Sequence, residues 1–146
     1  MKMAALTADL ELEMRGAGKI RSFDVTANDT IYKGSLVSID TDGFALPSTD
    51  TAAYRFVGIA VEQADNTGGS DGDIEVKVYT EGCFKLTGVS LAQANVGTIL
   101  YVNDDNSVED GTGAAQDCAV GMLVKYISAT SGWVEINHRA LGVVSA

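Results

Sequence analysis

The sequence predicts a mainly β fold: a small barrel or sandwich of short antiparallel strands built from an internal duplication, with one short helical turn near residues 90–96. Three observations carry this expectation. Short apolar runs alternate with polar residues at period two, as half-buried strands do. Gly, Asp and Asn clusters separate the runs. Two groups of motifs recur at one fixed offset along the chain.

The repeat is the most specific of these. Gly34-Ser35-Leu36-Val37-Ser38-Ile39-Asp40 reads like Gly97-Thr98-Ile99-Leu100-Tyr101-Val102-Asn103. Val57-Gly58-Ile59-Ala60-Val61 reads like Val120-Gly121-Met122-Leu123-Val124, so both pairs stand 63 residues apart. A third pair, Ile74-Glu75-Val76 with Val134-Glu135-Ile136, aligns if the second loop is shorter by three residues. Repeat halves of about 33–82 and 96–138 follow. Two copies are too few for a solenoid, which favours a closed or nearly closed β unit. Gly58 and Gly121 inside strands mark a bulge or a close backbone approach.

Residues 1–18 read as an N-terminal arm. Leu10, Leu12 and Met14 alternate like a strand, whereas Leu6 with Leu10 fits a helical turn. An extended arm and an ordinary edge strand both satisfy this pattern, which breaks at Gly16-Ala17-Gly18. Residues 19–146 read as one β domain. Its strands are centred on Ile20 to Val25, Leu36 to Ile39, Ala45-Leu46, Val57 to Val61 and Ile74 to Val78. Cys83 to Leu86, Ile99 to Val102, Ala119 to Tyr126 and Trp133 to Ile136 follow. Asp40-Thr41-Asp42-Gly43 and Asn103-Asp104-Asp105-Asn106 are turns with exposed carboxylates, and Ser90 is placed to cap the helical turn.

Composition bounds the function. With 146 residues and 46% apolar content, one core suffices without metal or disulfide. A net charge of −10 with no basic stretch argues against nucleic-acid binding. No run approaches the ~20 apolar residues of a membrane span. The N-terminus lacks the apolar core of a signal peptide, so a protein made and kept in a cytoplasm is expected. Cys83 and Cys118 lack metal-ligand spacing and read as buried thiols or, alternatively, a disulfide.

Candidate chemistry is thin. His138 is the single His and has no nucleophile motif beside it. Gly68-Gly69-Ser70-Asp71-Gly72-Asp73 partly resembles a calcium-binding nonapeptide, with Asp71 where that motif has Gly. Trp133 is either core on the opposite face or an exposed anchor at a subunit contact. No catalytic residue, cofactor or metal is expected, and the candidate interaction residues are Leu6, Leu10, Leu12, Met14 and Trp133.

The motifs together resemble a family. Lys33-Gly34-Ser35-Leu36-Val37, Phe56-Val57-Gly58-Ile59-Ala60-Val61, Gly82-Cys83-Phe84-Lys85-Leu86, Val96-Gly97-Thr98-Ile99-Leu100-Tyr101 and Val120-Gly121-Met122 are similar to the pattern of tailed-bacteriophage capsid cement, or head decoration, proteins. The resemblance spans roughly residues 19–137 and departs at Ser35 and Thr98, where that family usually has Asp. It implies a non-enzymatic virion protein on the outer capsid surface, partnered by the major capsid protein and assembled as a homotrimer. A small soluble β-barrel ligand-binding module is the alternative, and a hydrolase is a third reading. On the capsid reading the arm adds a strand to a neighbouring subunit or the shell, and removing residues 2–14 leaves the body folded.

Overall fold

Alternating apolar residues and frequent turns give thirteen short strands in the computed structural model, which describes residues 5–12, 14–15, 19–51, 53–110 and 118–137. In chain order they are β1 (Met14–Arg15), β2 (Ile20–Asp24), β3 (Thr30–Ile31), β4 (Leu36–Ile39), β5 (Ala45–Pro47), β6 (Arg55–Ala60) and β7 (Ala64–Asp65). There follow β8 (Glu75–Tyr79), β9 (Gly82–Val89), β10 (Ile99–Asp104), β11 (Ser107–Glu109), β12 (Ala119–Ser128) and β13 (Ser131–Ile136).

The strands form two units of one design. In the second unit the order β9-β11-β10-β12-β13 closes on itself, because β13 pairs back to β9. Closure leaves no exposed edge in this ring. In the first unit the order β2-β8-β6-β4-β5 is an open sheet whose ends meet at one parallel bridge, Val25 to Ala45. The second unit closes with the corresponding parallel pair, Gly88 to Val108.

The duplication holds residue by residue. Leu36 opposes Ile59 and Val37 opposes Gly58; Ile99 opposes Met122 and Leu100 opposes Gly121. The ladder slips by one residue after Val37 in the first unit and after Leu100 in the second. The glycines sit at these slips because their partners come too close for a side chain. A Cβ on Gly58 would overlap the Tyr79 carbonyl oxygen, and one on Gly121 the Glu135 carbonyl oxygen.

Three expectations need correction. The repeat begins earlier than residues 33 and 96, since β2 and β9 are equivalent first strands. The third motif pair is misaligned: Val78 and Tyr79 match Val134 and Glu135, so the second unit's loop is shorter by seven residues, not three. A shift of four preserves side-chain alternation, so the pattern does not distinguish the two alignments. Finally, the expected short helical turn near 90–96 is present as one 3₁₀ turn, Gln93–Asn95, but its cap differs. Ser90 does not cap it; Ser90 has φ +53, and the Asn95 side chain accepts the Ala92 amide at 2.7 Å.

Each unit has its own interior. Val37, Ala45, Val57, Ala60 and Val78 line the first, and their counterparts Leu100, Val108, Val120, Leu123 and Val134 line the second. Full burial of such a side chain contributes about 1.5–3 kcal/mol. The second cluster also takes in Leu36, Phe56 and Ile59 from the first unit, so the two units share a dry junction. Cys83 and Cys118 form no disulfide with each other; Cys118 is buried, and burial pushes its thiol pKa up.

Candidate interaction surface

The arm lies along the junction of its own chain. Leu10 donates its amide to the Lys33 carbonyl at 2.8 Å. Leu12 packs against the second-unit cluster. Met14 and Arg15 then pair with Phe84 and Cys83, which extends the sheet along β9. Strand addition therefore occurs in cis: the edge that the alternation of Leu10, Leu12 and Met14 requires is supplied by the same chain. An open groove of about 250 Å³ flanks this seat, lined by Leu10, Leu12, Lys33, Ile59, Tyr79 and Phe84.

Gly34 makes the seat possible. Its φ is +86, and a Cβ there would collide with the Leu10 carbonyl oxygen. Polar contacts fix the register. Lys33 donates its amide to Asp9 Oδ1 at 3.3 Å and its ammonium to Glu11 Oε1 at 2.6 Å. The hydrogen bond to Glu11 is the main reason the Lys33 pKa is raised. The pair is solvent-exposed and contributes little stability; its effect is on register.

The second acidic turn plugs the other end of the junction. Asp104 and Asp105 were expected to be exposed, yet each is only 5% exposed. The turn is pinned there because Leu36 donates its amide to the Asp105 carbonyl at 2.8 Å. Asp105 Oδ1 accepts the Leu6 amide at 3.2 Å, and Ser35 Oγ donates to Oδ2 at 3.5 Å. Asp104 Oδ1 accepts Asn106 N and Ser107 Oγ, both at 2.9 Å. The matching first-unit turn stays at the surface, where Asp40 Oδ1 accepts the Asp42 and Phe44 amides.

Burial raises the Asp105 pKa above its ordinary 3.8 despite those hydrogen bonds. The folded state therefore binds this proton more readily than the unfolded chain. The resulting stability is present below pH 3.8 and is lost as pH rises through the folded-state value. Asp105→Asn is thus expected to be more stable than the wild type at pH 7 and to lose that advantage below pH 3.8. Denaturant unfolding at the two pH values checks it.

The remaining candidates lie apart from this seat. Trp133 is partly buried in β13, opposite Lys125 on one side and Lys85 on the other. His138, residues 16–18 and the side chain of Met14 lie outside the described residues. In the Gly-rich loop the carboxylates serve the backbone: Asp71 accepts the Ala27 amide at 2.7 Å and Asp73 the Ser70 amide at 2.9 Å. The Asn66 side chain donates to the carbonyls of Thr26 and Ser70 and ties the loop to the first unit. Among the described residues no three His, Cys, Asp or Glu side chains converge as a metal site. No described helix is long and apolar enough to cross a membrane.

Leu6, Leu10 and Leu12 are therefore gathered on one surface, and Trp133 is not among them. Lys33, Gly34, Ser35 and Asp105 complete that surface, though sequence reasoning gave them no such role. The available signal was Asp9 and Glu11 flanking Leu10, a charge pattern that calls for a cation opposite. No protein-family model matches the chain, and no curated protein matches it significantly.

Proposed function

We propose that this chain is a non-enzymatic structural protein that binds the outer surface of a tailed-phage capsid and stabilises it, with the major capsid protein as partner and three copies as the assembly. One observation carries the reading. The residues that resemble decoration proteins, Gly34, Gly58, Gly97 and Gly121 with their flanking aliphatics, are also the residues that define the two equivalent units. The resemblance thus falls on the framework as a whole rather than on scattered positions. A duplicated block with an arm bound across its junction suits bracing, because the arm ties the two units together through its own contacts.

A second reading, a small ligand-binding module, is favoured by one feature. Asp104 Oδ2 is buried without a hydrogen-bond partner among the described residues. Asp104 is among the residues that line an open groove of about 280 Å³, with Leu6, Tyr32 and Thr49. On that reading the ligand is a small cation-bearing molecule.

Co-sedimentation with purified expanded and unexpanded phage heads separates the two. The capsid reading predicts saturable binding to expanded heads and none to unexpanded heads. Absence of binding to both overturns it.

A further inference from the structure

The duplication repeats the arm's seat as well as the strands. In the first unit Gly34 donates to Ala60 O, Ser35 to Tyr32 O, and Ala60 to Ser35 O. In the second unit Gly97 donates to Leu123 O, Thr98 to Asn95 O, and Leu123 to Thr98 O. Both glycines hold the left-handed conformation, at φ +86 and +88. The two seats thus share one backbone.

Their occupancy differs. The first seat holds Leu10, and its floor residues Leu36 and Ile59 are 2% and 1% exposed beneath the arm and the second unit's Phe84 and Ile136. At the second seat, open space surrounds the position of a Cβ on Gly97. The counterpart floor residues, Ile99 and Met122, are 42% and 38% exposed, and Val96 beside them is 37% exposed. These are three of the exposed large apolar residues, and two of them oppose each other directly in the β10–β12 ladder. Single exposed apolar residues are ordinary, but a cluster on a preformed seat is not.

The occupant follows from the residue that differs. Lys33 in the first seat is matched by Asp9 and Glu11 of the arm. Val96 replaces it in the second seat, so an acidic arm from a second copy would bring carboxylates to a position that lacks the counterpart of Lys33. Nor does a second copy's first unit repeat the internal contact. The counterparts of Phe84 and Ile136, which join the cluster over Leu36 and Ile59, are Arg21 and Thr80. The chain is acidic overall, and the arm among its described residues already fills the first seat.

We infer that the Val96–Gly97–Ile99–Met122 seat receives an extended segment of the capsid protein: aliphatic at alternate positions, without acidic flanks, lying on the second unit as Leu10 and Leu12 lie on the first. This rests on the proposed role at the shell.

The test uses the full-length chain with p-benzoylphenylalanine in place of Ile99, photo-crosslinked on purified expanded heads, with adducts identified by mass spectrometry. An adduct to the major capsid protein is expected. Separately, Met122→Asp is expected to weaken head binding at least tenfold while its unfolding midpoint stays at the wild-type value. Adducts to a second copy or within the same chain overturn the inference. So does decoration without any adduct, or wild-type binding by Met122→Asp. Heads left undecorated by the wild-type chain overturn the shell role and this inference together, whereas decorated heads without an adduct overturn the seat alone.

Discussion

Gly58→Ala is expected to be among the most destabilising single-methyl changes in this protein, costing about 3 kcal/mol. The added Cβ meets the Tyr79 carbonyl oxygen and the Val78 side chain, so the β6–β8 ladder must part to admit it. Backbone on the facing strand cannot swing aside as a flexible side chain does. Gly121→Ala faces the same obstacle at Glu135 and should cost about as much. Gly43→Ala is the control. It stands at φ +91 with open space around it, so only backbone strain of about 1 kcal/mol applies. Equal losses for Gly43→Ala and Gly58→Ala in denaturant unfolding would rule out the close approach as the cause.

Removing residues 2–14 is expected to leave both units folded but to lower stability by about 2–4 kcal/mol. Leu10 and Leu12 cover Leu36, Ile59 and Phe84, which are at most 2% exposed with the arm in place. Truncation exposes the part of that surface that the second unit does not cover and leaves Asp105 without the Leu6 amide. The fold survives because each interior is built without arm residues, apart from Leu12 at the edge of the second cluster. Leu12→Ala alone should take about 1–2 kcal/mol of this. Unchanged unfolding midpoints for both variants would show that the arm contributes nothing to the body.

Much of this architecture was legible in the sequence. Period-two alternation located the longer strands but not the short β3, β7 and β11, and the offset between Gly34 and Gly97 foretold ladders that match down to the bulge. The third motif pair misled because alternation is blind to even shifts; only the pairing of Tyr79 with Ile59 and of Glu135 with Met122 fixes the register. The burial of Asp104 and Asp105 was hidden for a different reason. Their turn matches the exposed Asp40 turn in sequence, and what separates them is position in the molecule, since one faces water and the other caps the junction. Likewise the alternation of Leu10 and Leu12 signalled an edge-pairing segment but not whose edge. That choice depends on the left-handed Gly34 and on Lys33 facing Glu11, two features that mean little until they lie side by side.

Residue-resolved amide hydrogen exchange on the isolated full-length chain tests most directly whether the first seat is filled in cis. Leu10 donates to Lys33 O just as Gly34 donates to Ala60 O, so both amides should exchange far more slowly than an unstructured peptide. Protection at both positions is predicted, with Leu10 opening more readily because the arm can lift without unfolding the units. Exchange at Leu10 at the unstructured rate, with Gly34 still protected, would contradict a filled first seat.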